Sequence, residues 1–437
     1  MPTTSPKGLV IAAPSSGSGK TLVTLGLLRA FAKAGHNVGS AKAGPDYIDP
    51  RFHEAATGRP CVNLDAWAMP SDQVKTIAAE AAEGRSLLVI EGVMGLFDGA
   101  ETGEGSTADL AGLLGFPIIL VVDALRQSQS AAALVRGFAS HRSDCRIAGV
   151  IFNKVATDRH ESILRTAMKP LEIPVLGCVR NIYELEVPSR HLGLVQASEH
   201  ESLERFIETA ADLVAAALDL DGLSTLADGH AHAPDAARTL PPLGQKIAFA
   251  DDRAFAFSYP HLLNGWRQAG AELSAFSPLN DEAPAADADA IYLPGGYPEL
   301  HAGKLADNSA FLDGLRAAAE RGVLIYGECG GFMVLGDGLI DADGHSHKMS
   351  GLLSVVTSFE KRKLHLGYRR LTCAGPLPFG KILRGHEFHY STLISQGAGE
   401  ALFEARDAAG RNLGRIGLRA GTVMGSYAHI IDQEPAP

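Results

Sequence analysis

No lysine- or arginine-rich run stands out in these 437 residues, and the formal net charge is −11. That balance argues against nucleic acid as a partner. It leaves an anionic substrate open, because the charge of a site is local. Cysteine is scarce: Cys61, Cys145, Cys178, Cys329 and Cys373 are scattered, odd in number and without a CxxC pair. Neither a disulfide framework nor a zinc site is expected. Long apolar stretches are missing too. The run at 116–122 is too short to span a bilayer. Residues 1–8 lack the apolar core of a signal peptide, so the cytoplasm is the expected compartment and no membrane partner is expected. There are no internal repeats.

What is present is the material of a globular protein. Hydrophobic residues make up 46% and charged residues 20%, enough to bury real cores. Buried strands are expected at 8–13, 38–42, 87–91, 117–123 and 147–153. Helical stretches lie between several of them, with an amphipathic helix at 21–34 and a closing helix at 198–220. Short apolar runs alternating with helical patterns imply a parallel sheet with helices on its faces. Composition then shifts. Residues 221–245 are rich in Ala, Pro, Gly and His and read as a linker. A second α/β pattern begins at 246 and continues through strands at 290–293, 323–326 and 422–426. The expected domains are therefore 1–221, a linker at 222–245, and 246–437.

The first motif is Ser16-Gly17-Ser18-Gly19-Lys20-Thr21, which follows a strand and opens a helix. That is the context a phosphate-binding loop requires. Its glycines let backbone N–H groups point at phosphate, and the helix N-terminus adds a favourable field. Lys20 would reach the β- and γ-phosphates of ATP, and the Thr21 hydroxyl would ligate Mg²⁺. One departure is visible: GxxxxGK[ST] would have glycine at position 14, where this chain has Pro14. Glu91 ends a strand, and Asp46 and Asp49 lie in the loop GPDYIDP at 44–50. Ligands gather at the carboxyl ends of parallel strands, so these acids should face the loop.

The second motif is Leu324-Ile325-Tyr326-Gly327-Glu328-Cys329-Gly330-Gly331. A short apolar strand runs into a glycine-flanked cysteine, the pattern of a nucleophile elbow. Backbone N–H groups from Gly330, and from Gly296 in PGGYPE (294–299), would form an oxyanion hole. The positive end of the following helix is expected to lower the thiol pKa. His429, after a late strand, is the candidate base; His386 and His389 compete with it. A cysteine elbow and an ATP loop in one chain point to ammonia release coupled to ATP-driven use of that ammonia.

With both sites in view, the chain resembles the cobyrinic or hydrogenobyrinic acid a,c-diamide synthases over nearly its whole length. The carriers are SGSGKT (16–21), GPDYIDP (44–50), NLDAW (63–67), EGVMGLFDG (91–99), PSRHLGL (188–194), PGGYPE (294–299), YGECGGF (326–332), RGHEFHYS (384–391) and GSYAH (425–429). The resemblance implies two doubly wound α/β domains. The first is a P-loop NTPase-like domain of the dethiobiotin-synthetase type. The second is a flavodoxin-like class I glutamine amidotransferase. It also implies acyl-phosphate activation of corrin side-chain carboxylates by ATP and Mg²⁺, their amidation with ammonia from glutamine, and a homodimer. Mg²⁺ would be held by Thr21, Glu91 and Asp46, and the adenine read by Asn153. Tyr47, Asp49 and Asp98 would border the reacting carboxylate, with Arg190 and His191 assigned to corrin binding. The nucleophile and base would be a Cys329–His429 dyad, since the His-Pro-Glu of most class I amidotransferases is absent; Asp432 and Glu387 stay open as a third member. Length and the loop's opening residues lean towards the metal-free ring. Alternatives are a cobyric acid synthase, which amidates other carboxylates of the ring, and a nucleotide-switch ATPase.

Overall fold

The computed structural model describes residues 7–181, 189–190, 193–194, 196–199, 202–229, 240–373 and 375–434. The chain divides into two compact units, Met1–Trp67 with Ser71–Ala237, and Ala68–Pro70 with Arg238–Pro437.

The first unit contains strands β1 (Gly8–Ala12), β2 (Val38–Ala43), β3 (Cys61–Leu64), β4 (Leu87–Glu91), β5 (Ile118–Asp123), β6 (Ile147–Val155) and β7 (Val175–Arg180), then the short pair β8 (Ser189–Arg190) and β9 (Gly193–Leu194). Its helices are α1 (Lys20–Lys33), α2 (Asp49–Thr57), α3 (Ser71–Ala82), α4 (Thr107–Leu114), α5 (Ser130–His141), α6 (Asp158–Met168), α7 (Leu203–Ala217) and α8 (Leu220–Leu226). The first seven strands form one parallel sheet in the order β3-β2-β4-β1-β5-β6-β7. β1 and β4 are buried throughout, as strands covered on both faces must be. The register aligns Ile11 with Glu91, and Lys42 with Glu91 on the other side. The carboxyl ends of β1, β2 and β4 therefore meet at one edge. α4 begins with a reciprocal cap between Ser106 and Asp109.

The second unit contains β10 (Lys246–Ala250), β11 (Glu272–Phe276), β12 (Ala290–Leu293), β13 (Leu324–Glu328), β14 (Gly338–Ile340), β15 (Ser346–Lys348), β16 (Val355–Ser358), β17 (His365–Cys373), β18 (Ile382–His389), β19 (Thr392–Gln396), β20 (Phe403–Asp407), β21 (Asn412–Ile416), β22 (Leu418–Ala420), β23 (Val423–Ser426) and β24 (His429–Gln433). Its helices are α9 (Pro260–Gln268), α10 (Ala302–Asp307), α11 (Ser309–Glu320) and α12 (Gly330–Leu335). The main sheet runs β11-β10-β12-β13-β23-β22, parallel except for β22. Phe255, Phe311, Phe332 and Leu335 belong to its core. A mixed sheet, β15-β14-β16-β19, in which β14 and β16 run parallel, and an antiparallel sheet, β21-β20-β17-β18-β24, follow. Both units are α/β, with a parallel sheet in each, as the motif order implies.

Two expected boundaries differ. The closing helix starts at Leu203 rather than 198, and a short helix, α8, overlaps the start of the stretch read as linker. Among the described residues no helix is long and apolar enough to cross a membrane.

Candidate active sites

In the first unit, β1 ends at Ala12 and α1 begins at Lys20, so the glycine-serine loop joins them. Gly19 caps α1 with φ +89°, and a Cβ there would sit 2.0 Å from Asn153 Nδ2. Glycine is required on both counts. Asn153 Nδ2 donates to Ser18 O at 3.0 Å, so the residue expected to read adenine touches the loop. Ser16 and Gly17 are exposed, while Ser18 Oγ folds back to donate to Ser15 O at 2.9 Å. Lys20 is buried and its ammonium donates to Met94 O. Burial, with neighbouring Lys42 next, lowers its pKa below the usual lysine range.

Glu91 is the hub. The Thr21 hydroxyl donates to its Oε1 at 2.7 Å, Lys42 Nζ lies 3.0 Å from the same oxygen, and His53 Nε2 lies 2.6 Å from Oε2. Lys42 also donates to Asp49 Oδ2 at 2.5 Å. Burial works against every charge here, and the ion pairs overcome it at three groups. Lys42 stays above the ordinary lysine range because of Asp49 and Glu91. Glu91 is held well below the carboxylate range by Lys42 and His53. His53, buried like Glu91, rises to about 10 through its contacts with Cys61 and Glu91. Asp49 shifts the other way: burial and the nearby Asp46 push it up, and Lys42 only partly offsets them.

Asp46 Oδ1 accepts from the Ile48 and Asp49 backbone N–H groups at 2.7 and 3.1 Å, which fixes the turn into α2. In that pose it shapes the loop. Tyr47 lies in the same turn, half-buried. Asp98 is exposed, and its Oδ2 accepts from Gly95 N at 2.9 Å. His191 lies outside the described residues, as does the side chain of Arg190. The motif reading missed Lys42 and His53. A lysine inside the buried strand VGSAKA was the available signal, and His53 is four residues beyond Asp49, on the same helix face.

In the second unit, Cys329 joins β13 to α12 with φ +46° and ψ −101°, the strained turn of an elbow. Its N–H donates to Ser426 O at 2.8 Å, locking it to the end of β23. Three residues later His429 opens β24, buried. A Cβ on Gly295 would sit 2.3 Å from His429 Cε1, so the glycine loop after β12 packs against this ring. A Cβ on Gly330 would lie 3.1 Å from Gly296 N, which brings the two expected oxyanion donors' backbones together.

The thiol expectation is overturned. Burial, with Glu299 next, pushes the Cys329 pKa far above the usual thiol range, and the backbone contact at Gly330 only partly offsets it. A six-residue helix supplies less stabilisation than desolvation removes. His429 is held well below the imidazole range by burial and by His386, which stacks on it at 5.0 Å. His386 and His389 both fall to about 3, chiefly through burial. Glu387 is taken by Arg369 at 2.6 and 2.9 Å. Asp432 is buried and pushed up to about 7. The motif reading passed over Glu328, whose Oε2 lies 3.9 Å from His429 Nδ1. Its signal was an acid at the end of an otherwise uncharged, buried strand.

A P-loop whose threonine reaches a strand-end carboxylate, followed by a cysteine elbow with a buried histidine, defines a nucleotide-binding glutamine amidotransferase. Residues 9–195 match the CobQ/CobB/MinD/ParA nucleotide binding domain, and residues 246–436 match the CobB/CobQ-like glutamine amidotransferase domain. The chain is 56% identical over 427 residues to a hydrogenobyrinate a,c-diamide synthase of Sinorhizobium sp, covering 97% of this chain and 98% of that one. It is 55% identical to the protein of that name from Brucella anthropi, covering 98% of each chain. The Rhodobacter capsulatus relative of the same name is 51% identical, over 98% of this chain and 99% of that one. The chain belongs to the hydrogenobyrinate a,c-diamide synthase family, and so to the carbon–nitrogen ligases that carry a glutamine amidotransferase domain.

Proposed function

We propose that this enzyme amidates the a and c side-chain carboxylates of hydrogenobyrinic acid, using ATP and glutamine, through acyl phosphates. The observation that carries the chemistry is the presence in one chain of the Thr21–Glu91–Lys42 constellation behind the loop and the Cys329 elbow. The choice of ring is supported by the near-full-length likeness to chains bearing that substrate in their name.

In the first step a ring carboxylate oxygen attacks the γ-phosphorus, the bond to ADP breaks, and an acyl phosphate forms. Two anions must meet, so charge neutralisation dominates the barrier. Lys20 faces the phosphates. Lys42, charged and buried, offsets Asp49 and Glu91 so that the pocket does not repel its substrate. Thr21 Oγ1 and Glu91 Oε1 are hard oxygen donors 2.7 Å apart, a set that fits Mg²⁺, with Asp46 as the third ligand in this reading. Bound there, Mg²⁺ would draw charge from the phosphate oxygens. Tyr47, Asp49 and Asp98 border the carboxylate, Asn153 meets the adenine, and Arg190 and His191 contact the ring.

At the second site His429 takes the thiol proton and Cys329 sulfur attacks the glutamine carboxamide, with Gly296 and Gly330 N–H groups facing the oxyanion. The proton passes to the departing nitrogen, ammonia leaves, and water hydrolyses the thioester. Ammonia then displaces phosphate from the acyl phosphate. We extend the proposal to a homodimer, testable by light scattering of purified protein. A pure nucleotide switch fits less well, because it needs no cysteine elbow.

The test is mass spectrometry of corrinoid products after supplying ATP, Mg²⁺, glutamine and either hydrogenobyrinic or cobyrinic acid. Two amidations, faster on the metal-free ring, are expected. Amidation of neither ring by folded protein would refute the substrate assignment.

A further inference from the structure

Glu328 immediately precedes the nucleophile, and its side chain is buried at 1% exposure. Three donors hold it. Tyr292 hydroxyl donates to Oε2 at 2.9 Å, Tyr326 hydroxyl to Oε1 at 3.0 Å, and the Ile430 backbone N–H to Oε1 at 3.0 Å. Ile430 directly follows His429, so the same carboxylate grips the chain that carries the base. Among the described residues no lysine or arginine pairs with Glu328, and the ion-pair distance it makes is the 3.9 Å to His429 Nδ1.

A buried carboxylate without a cation is costly, and a structural tie between three strands does not need the charge. The missing cation is transient. It appears on His429 when that ring takes the thiol proton. We infer that Glu328 is the positioning residue of the amidotransferase site: it orients His429 through Nδ1 and compensates the charge His429 acquires during glutamine cleavage. The inference rests on the proposed Cys329–His429 dyad. Glu328 completes the set that the absent His-Pro-Glu glutamate left open, from a position before the nucleophile instead of after the base.

The surrounding charges fit this role. Glu328 itself opposes a Cys329 thiolate, as do Glu299 and Glu387, so its benefit must pass through His429. His386, stacked on His429, disfavours the imidazolium, which makes a compensating carboxylate on the Nδ1 side more valuable. Tyr292 and Tyr326 remain neutral donors, their ionisation suppressed by burial and by Glu328. Each proton is accounted for. It leaves Cys329 sulfur, rests on His429 facing Glu328, and departs with ammonia; Glu328 keeps its state throughout.

The experiment is steady-state glutamine hydrolysis by Glu328→Gln, Glu328→Asp and His429→Asn in the full chain, with ammonia-driven amidation and the melting temperature read in parallel. Glu328→Gln keeps the shape and loses the charge. The expected result is a kcat reduced about 10- to 100-fold, KM for glutamine within about threefold, an unchanged ammonia route, and partial recovery of kcat in Glu328→Asp. Should Glu328→Gln not fold, Tyr292→Phe decides: it removes one clamp from Oε2 and is expected to lower kcat about 3- to 10-fold with KM kept. A normal kcat in Glu328→Gln, or a loss of melting temperature with an unaltered rate per folded molecule, would overturn the inference. If His429→Asn hydrolyses glutamine normally, the dyad itself falls. If only His429→Asn is inactive, the dyad stands and Glu328 is a structural tie.

Discussion

The two sites solve burial in opposite ways. Around the nucleotide loop, three buried groups stay charged: Lys42 sits above its ordinary range, Glu91 far below, and His53 at about 10. Each is held by a partner within 3.0 Å. Around the cysteine, burial wins at the thiol and the imidazoles, which are driven to neutrality. Cys329 is pushed up, while His429, His386 and His389 are pushed down. Burial pushes Glu328 up too, but the donors Tyr292, Tyr326 and Ile430 N–H work against it and favour its carboxylate form. A site that must receive anions carries its countercharge ready-made. A site that cleaves a neutral amide rests with its thiol and imidazole uncharged, and their charges arise as the two exchange a proton on glutamine binding.

Substitutions can break this contrast one side at a time. The largest effect is expected from Cys329→Ser. Glutamine-dependent amidation should fall by at least about 10³-fold while amidation from free ammonia stays near normal. Loss of both routes would mean the sites are not separable. Next comes Lys20→Ala, expected to lower both routes by about 10²- to 10³-fold and leave glutamine hydrolysis measurable. Retained amidation in that variant would remove the loop from the chemistry.

A third substitution sharpens the contrast through stability. Asp432 Oδ1 accepts from Gln433 N, while Oδ2 has no hydrogen-bond partner among the described residues, and burial pushes the carboxyl up to about 7. Its folded pKa lies above its unfolded value near 3.8, so its contribution is full below about pH 4 and lost as pH rises through 7. Relative to Asp432→Asn, the parent should lose roughly 3 kcal/mol of stability across that window. Urea unfolding at pH 4.5 and pH 8 measures it, and an equal gap at both would contradict the assignment. The smallest effect is expected from Gly19→Ala. Its added carbon meets Asn153 at a backbone angle that favours glycine, so KM for ATP should rise about tenfold on both routes. An unchanged KM would show that the loop relaxes freely.

Legibility in the sequence followed burial. Parallel strands such as LLVIE and AIYL are apolar runs, so 87–91 and 290–293 read correctly to the residue. The largely antiparallel region between 338 and 420 did not read as strands. β17, HLGYRRLTC, is mostly half-buried and lacks alternation, and its pairing with β18 and β20 is fixed by neighbours. The glycine-flanked Lys20 and Cys329 were visible because a turn demands local chemistry. Lys42, His53 and Glu328 were not, since each owes its role to a partner 38 to 102 residues away. The direction of the thiol shift also lay out of reach, because burial is a property of the assembled sheet.

The central claim is that the charged site turns a ring carboxylate into an acyl phosphate. Hydrogenobyrinic acid labelled with ¹⁸O in its carboxylates tests it most directly, with the label followed into inorganic phosphate by mass spectrometry. One ¹⁸O per amide formed is the result the account predicts. Amidation that releases unlabelled phosphate would contradict it.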